Sequence, residues 1–164
     1  MKKPILIAVD PGASGATAVQ YPNGKVVTFN FETPYDQKEL IKSLVESAQL
    51  EQVPIRAVVE KVGGFIGFKQ PGSAMFNFGE NYGIHQALLL AFEIPTELFR
   101  PQEWQKGFPK TPKMEDRAAA KRNHKNTLKD YAGRLFPYNK VTLSNADALL
   151  ILNYAIKTQA DRSC

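Results

Sequence analysis

The sequence predicts an α/β fold built on a mixed sheet with helices on both faces. Three observations carry this. The chain opens with three short apolar strands separated by turn signals, two strand–helix alternations follow, and two helical stretches close it. A meander runs antiparallel and strand–helix–strand units run parallel, so one sheet must hold both kinds of pairing.

Residues 4–10 (PILIAVD) form a continuous apolar run ending in a carboxylate, which is how a strand covered on both faces reads. Pro11-Gly12 and Gly15 break the chain, and residues 16–21 (ATAVQY) read as a second strand. Pro22-Asn23-Gly24 is a hairpin turn signal, and residues 25–31 (KVVTFNF) return as the third strand. Residues 36–50 place Leu40, Ile41, Leu44, Val45 and Ala48 at helical spacing. Residues 55–60 (IRAVVE) form a fourth strand, again closed by an acid. A glycine- and aromatic-rich loop over 63–72 leads to a long apolar helix over 73–92, where Gly79 and Gly83 permit close packing. A short fifth strand spans 96–100, a helical turn spans 101–108, and Pro112 marks a loop over 110–113. A basic helix spans 115–136 and stops before Pro137; the last helix spans 144–158 with Ser144 as its N-cap.

The 164 residues predict a single domain, 1–164. Cys164 is the only cysteine, which excludes an internal disulfide framework and a multi-cysteine zinc site. With only His85 and His124 present, a histidine-rich metal site is excluded as well. The apolar run at residues 5–9 is too short for a signal peptide, and none approaches the ~18 residues of a membrane span. A cytoplasmic protein with no membrane partner is expected. The net charge of +5 is unevenly spread. Residues 1–99 hold eight Lys/Arg against ten Asp/Glu, whereas residues 100–164 hold thirteen against six. A basic C-terminal third points to a polyanion such as nucleic acid, although a solvated helix face has the same composition.

Three acids stand where chemistry would want them. Asp10 and Glu60 each end an apolar strand, and Asp147 lies in an otherwise apolar helical run. Carboxylates are seldom buried alone, and ligand crevices of open α/β sheets lie beyond the C-terminal ends of strands. Three acids meeting there would call for a divalent cation, and oxygen ligands select Mg²⁺ or Mn²⁺. Each acid also has a plain reading: Asp10 as a turn former before Pro11, Asp147 as a helix N-terminal charge. Spacing leaves both readings open.

The stretch from Ile7 to Ala16 (IAVDPGASGA) resembles the first strand and turn of RuvC-type Holliday junction resolvases. Val58-Val59-Glu60-Lys61-Val62 resembles their second acidic strand, and Ala146-Asp147-Ala148-Leu149-Leu150 their C-terminal helix. Met75-Phe76-Asn77-Phe78-Gly79, Tyr82-Gly83 and Arg100-Pro101-Gln102-Glu103-Trp104 are similar to the phage and prophage branch, which implies a phage or prophage origin. The resemblance implies an RNase H-like fold whose five-stranded sheet has its first three strands antiparallel. It implies a homodimeric endonuclease that cleaves branched DNA such as four-way junctions. Asp10, Glu60 and Asp147 would be its catalytic and metal-binding residues, with two Mg²⁺ (or Mn²⁺) roughly 3.5–4 Å apart. Family members carry a fourth acid, or a histidine, near the start of the last helix; here Ser144 lies one turn before Asp147, so Ser144, Asn145 or a main-chain carbonyl would be a weaker oxygen ligand. Two alternatives stay open on the same fold, a non-catalytic branched-DNA binding protein and a nuclease acting on structured RNA.

Arg117, Lys121, Lys125 and Lys129 recur every four residues and form one helix stripe, widened by Arg122 and preceded by Lys106, Lys110 and Lys113. In a nuclease this stripe would hold phosphates. The loop after Glu60 supplies Lys61, Phe65, Phe68 and Lys69, and its aromatics would stack on unpaired bases at a branch point. Packing of that loop on its own domain or on a partner is equally open. Trp104 is expected in the core, His85 as a satisfied buried or interface residue, and His124 facing solvent. Phe76, Phe78 and Tyr82 offer a helix face for a two-fold interface.

Overall fold

Strand β1 (Ile5–Val9) is buried along its whole length because it lies at the centre of the sheet. In the computed structural model, which describes residues 2–61, 63, 72–111 and 115–161, β1 is flanked by β2 (Ala16–Gln20) and β4 (Ile55–Glu60). Outside these lie β3 (Val26–Asn30) and β5 (Thr96–Phe99), giving the order β3-β2-β1-β4-β5. The β1–β2 and β2–β3 pairs are antiparallel and the β1–β4 and β4–β5 pairs are parallel. This is the mixed sheet the sequence predicts.

Among the described residues five helices cover both faces. On one side α1 (Pro34–Glu51) and α2 (Gly72–Ala91) enclose Ile5, Ile7, Val9, Val19, Ala57 and Val59. On the other, α3 (Pro101–Trp104), α4 (Arg117–Leu135) and α5 (Ala146–Asp161) enclose Leu6, Ala8, Ala16, Ala18 and Val58. Alternate residues of each strand serve opposite cores, as the pleat requires. Leu149, Leu150, Ile151 and Leu152 of α5 are fully buried against this second face. Each contributes about 1.5–3 kcal/mol, enough to anchor the first turn of α5 where it faces the end of β1. Among the described residues no helix is long and apolar enough to cross a membrane.

Helix ends differ from expectation for local reasons. Thr33 caps α1 by accepting from the Asp36 N–H, with Pro34 at the first position, so the helix starts before residue 36. Asp116 accepts from the N–H groups of Ala118 and Ala119, so α4 starts at Arg117. Ser144 is not an N-cap. Its hydroxyl lies 2.9 Å from Thr142 Oγ1 and donates to Asn30 Oδ1, and α5 starts at Ala146. Among the described residues, Gly79 and Gly83 do not mediate close packing. They face outward, and a Cβ at either would meet nothing within 4 Å.

Candidate active site

The register of the sheet brings two of the three acids together. Ile5 pairs with Ile55 and Val9 with Val59, so the chain continues with Asp10 beside Glu60. Asp10 follows Leu6 and Ala8 on one face of the pleat, and Glu60 follows Val58 on the same face. That is the face covered by α5, whose first turn carries Asp147.

The turn after β1 holds Asp10 in place. Its Oδ1 accepts from the Gly12 N–H at 3.0 Å, its N–H donates to Ala16 O, and the Gly15 N–H closes on Gly12 O. Gly15 is required here because a Cβ would lie 2.0 Å from the Asp10 carbonyl oxygen. Glu60 is held from the other side: Trp104 Nε1 donates to its Oε1 at 3.2 Å. Trp104 is 1% exposed and packs edge-on against Phe108.

Burial and mutual charge act on these acids together. Burial, then the charge of Asp147, pushes Asp10 up to about 6, although the Gly12 N–H and Lys125 pull the other way. Burial, then the charges of Asp10 and Asp147, pushes Glu60 up to about 7 against the opposing pull of Trp104 and Lys125. Asp147 is buried, and one of its oxygens, Oδ1, accepts no hydrogen bond among the described residues. The other, Oδ2, pairs with Lys125 Nζ at 2.5 Å. Burial works against the Lys125 charge, but Asp147 foremost, then Asp10 and Glu60, hold its ammonium above the ordinary lysine range.

Lys125 is therefore turned inward from the basic stripe and acts as the cluster's counter-cation. Exposed Arg117 and Lys121 and half-buried Lys129 share its stripe. Lys121, Arg122 and Lys125, with Ser14, Leu143 and Ser144, line a cleft of about 680 Å³. Lys61 and Lys106 are exposed. Lys110 lines a second cleft of about 310 Å³ with Phe108, His124 and Leu128, so His124 is half-buried there rather than facing open solvent. Phe65, Phe68, Lys69 and Lys113 lie outside the described residues. Asn145 is buried and its carboxamide is engaged by the chain: Oδ1 accepts from the Thr142 N–H, and Nδ2 donates to Thr28 Oγ1 and Lys140 O. His85 is buried, and among the described residues neither of its nitrogens has a hydrogen-bond partner; its ring tilts against Phe31 at 4.9 Å.

The donor chemistry fits a divalent cation. It offers oxygen ligands only, three mutually repelling acids and one buried carboxylate oxygen without a donor. Among the described residues the acids are not drawn into a ready-made cage of three ligands. Trp104, which sequence reasoning assigns to the core alone, and Lys125, which it assigns to the phosphate contacts rather than to the acids, both reach the cluster. A lone tryptophan among apolar neighbours reads as core, and one lysine in a basic stripe reads like the rest.

Comparison with family models finds no match, and comparison with curated proteins finds none. Solved structures do match. T. thermophilus RuvC in complex with Holliday junction substrate is similar at 13% identity and TM-score 0.52, over 96% of this chain and 97% of that one. A second Thermus thermophilus RuvC structure matches at 14% identity and TM-score 0.50, over 94% and 96%. The chain thus has a RuvC-like, RNase H-like fold.

Proposed function

We propose that this chain is a divalent-metal-dependent endonuclease that hydrolyses branched DNA, four-way junctions foremost. One observation carries the reading: Asp10 just after β1, Glu60 at the end of β4 and Asp147 in the first turn of α5 lie near one another at one end of the sheet. Its support is the neighbouring cleft walled by Lys121, Arg122 and Lys125, and a fold shared with a RuvC that was solved on a Holliday junction. Asp10, Glu60 and Asp147 would hold Mg²⁺, or Mn²⁺ in its place, and two such ions supply the charge that activates water and offsets the leaving oxygen.

The chain's own residues do the rest. Gly12 and Trp104 each fix one carboxylate by a hydrogen bond. Lys121 and Arg122 hold backbone phosphates, and Lys125 stands between phosphates and acids. Phosphate contacts are also proposed for Lys61, Lys69, Lys106, Lys110, Lys113 and Arg117, and contacts to unpaired bases for Phe65 and Phe68. A single chain carries one acid cluster, so paired cuts on a four-way junction need a homodimer. The outward face of α2, with Phe76 and Leu90 exposed, is the surface for the second copy.

A non-catalytic branched-DNA binder is the second reading. Two observations favour it: Ser144 stands in place of a fourth acid, and the Lys125 ammonium already sits on Asp147. Incubating the protein with a synthetic four-way junction across a Mg²⁺ and Mn²⁺ titration separates the two, with structured RNA as a parallel substrate. Metal-dependent cleavage of the junction is expected. Tight binding without cleavage would select the binder, and preferential cleavage of RNA would overturn the DNA assignment.

A further inference from the structure

We infer that Trp104 is a positioning residue that holds Glu60 in the orientation needed to take up a cation. The inference rests on the reading of Glu60 as a cation ligand and adds a residue to that site. The geometry is specific. Glu60 is the last residue of β4 and pairs with Phe99 of β5. The chain turns immediately after β5: Pro101 starts α3, Glu103 Oε2 accepts from the Arg100 N–H at 2.6 Å, and the Trp104 N–H donates to Arg100 O. This tight turn sends the Trp104 side chain back toward the end of the neighbouring strand β4, where Glu60 lies. The indole is 1% exposed and belongs to the core that includes Ala146, Ala148 and Leu149 of α5, so packing fixes its ring.

An indole N–H is a donor only, and when buried it needs an acceptor. Here the acceptor is one oxygen of Glu60, at 3.2 Å. The bond restricts rotation of the carboxylate and engages Oε1 alone, which leaves Oε2 for another partner. Trp104 cannot be a ligand itself, nor can it donate or withdraw a proton at neutral pH. Its contribution is orientation, as for other groups that hydrogen-bond to metal-binding side chains, whose removal costs about 10–100-fold in metal affinity.

The test is Mn²⁺ binding by the full chain, followed by the paramagnetic resonance of the free ion. The variants are Trp104→Phe, Glu60→Gln and the double variant, with folding checked by circular dichroism. Trp104→Phe keeps most of the ring and removes the donor. It is expected to weaken Mn²⁺ binding about tenfold in the native background and not at all in the Glu60→Gln background. Unchanged affinity in the single variant, or an equal loss in both backgrounds, overturns the inference. Absence of Mn²⁺ binding to the unaltered chain overturns the metal reading, and this one with it. Should Trp104→Phe fail to fold, the unaltered protein still decides the matter, because Trp104 is its only tryptophan. Saturating Mg²⁺ is expected to change its emission, and Glu60→Gln to abolish that change. Emission that stays constant while Mg²⁺ binds overturns the inference.

Discussion

Asp10 illustrates how a buried carboxylate weakens the fold that carries it. Burial and the Asp147 charge hold it up at about 6, and burial with both aspartates holds Glu60 at about 7. Both values lie above the unfolded carboxylate range near 4, so the folded chain binds extra protons between about pH 4 and 7. The stability these protons confer is complete below about pH 4 and is lost as pH rises through 6 to 7. Asp10→Asn is therefore expected to stabilise the metal-free protein at about pH 7.5, by on the order of 2 kcal/mol, with the gain vanishing near pH 4. Urea unfolding of both proteins across pH checks this. His85 has the opposite slope. Burial holds it down at about 4, so stability falls as pH drops below the ordinary value of about 6.5. His85→Leu should flatten this acid-side loss, and the same titration reads it. Neither effect was legible in the sequence. Asp10 was identified there by its place at a strand end, but its environment depends on Asp147, 137 positions away. The sequence reads His85 as a satisfied buried or interface residue, and no local pattern shows that the described residues offer its nitrogens no partner.

At the scale of elements, the site depends on two turns and a helix. Gly15 closes the β1–β2 turn against the Asp10 carbonyl, so Gly15→Ala forces backbone apart rather than a side chain. It is expected to cost roughly 1–3 kcal/mol, toward the upper end, and to reduce Mn²⁺ affinity by displacing Asp10. Thermal unfolding and metal binding measured together check both parts. Helix α4 is predicted to contribute affinity without sequence preference. Lys121→Ala and Arg122→Ala should each weaken junction binding uniformly across sequences and lower the salt slope by about one. Binding isotherms at several salt concentrations read this directly. The sequence showed the strands well, because Ile5–Val9 is an unbroken apolar run and Ile55–Glu60 is a short β-branched segment bounded by Pro54 and Glu60. It showed helix ends less well. Thr33, Asp116 and the Thr142–Asn145 turn decide them through hydrogen bonds that several nearby polar residues offered equally. The inward turn of Lys125 escaped because four lysines and arginines share one periodicity, and only contact with α5 singles one out.

For the whole molecule, the division of charge seen along the chain becomes a division of space. The sheet end gathers three acids, while α4 brings cations to the adjoining cleft and sends one, Lys125, into the cluster. Such an arrangement suits a phosphodiester held beside a cation, with the acids on one side and basic side chains on the other. The most direct test is cleavage of a synthetic four-way junction by the unaltered chain and by Asp10→Asn, across a Mg²⁺ and Mn²⁺ titration. The account predicts metal-dependent cleavage by the unaltered chain and loss of cleavage with retained junction binding in Asp10→Asn. Full cleavage by Asp10→Asn, or junction binding by the unaltered chain with no cleavage at any metal concentration, would contradict it.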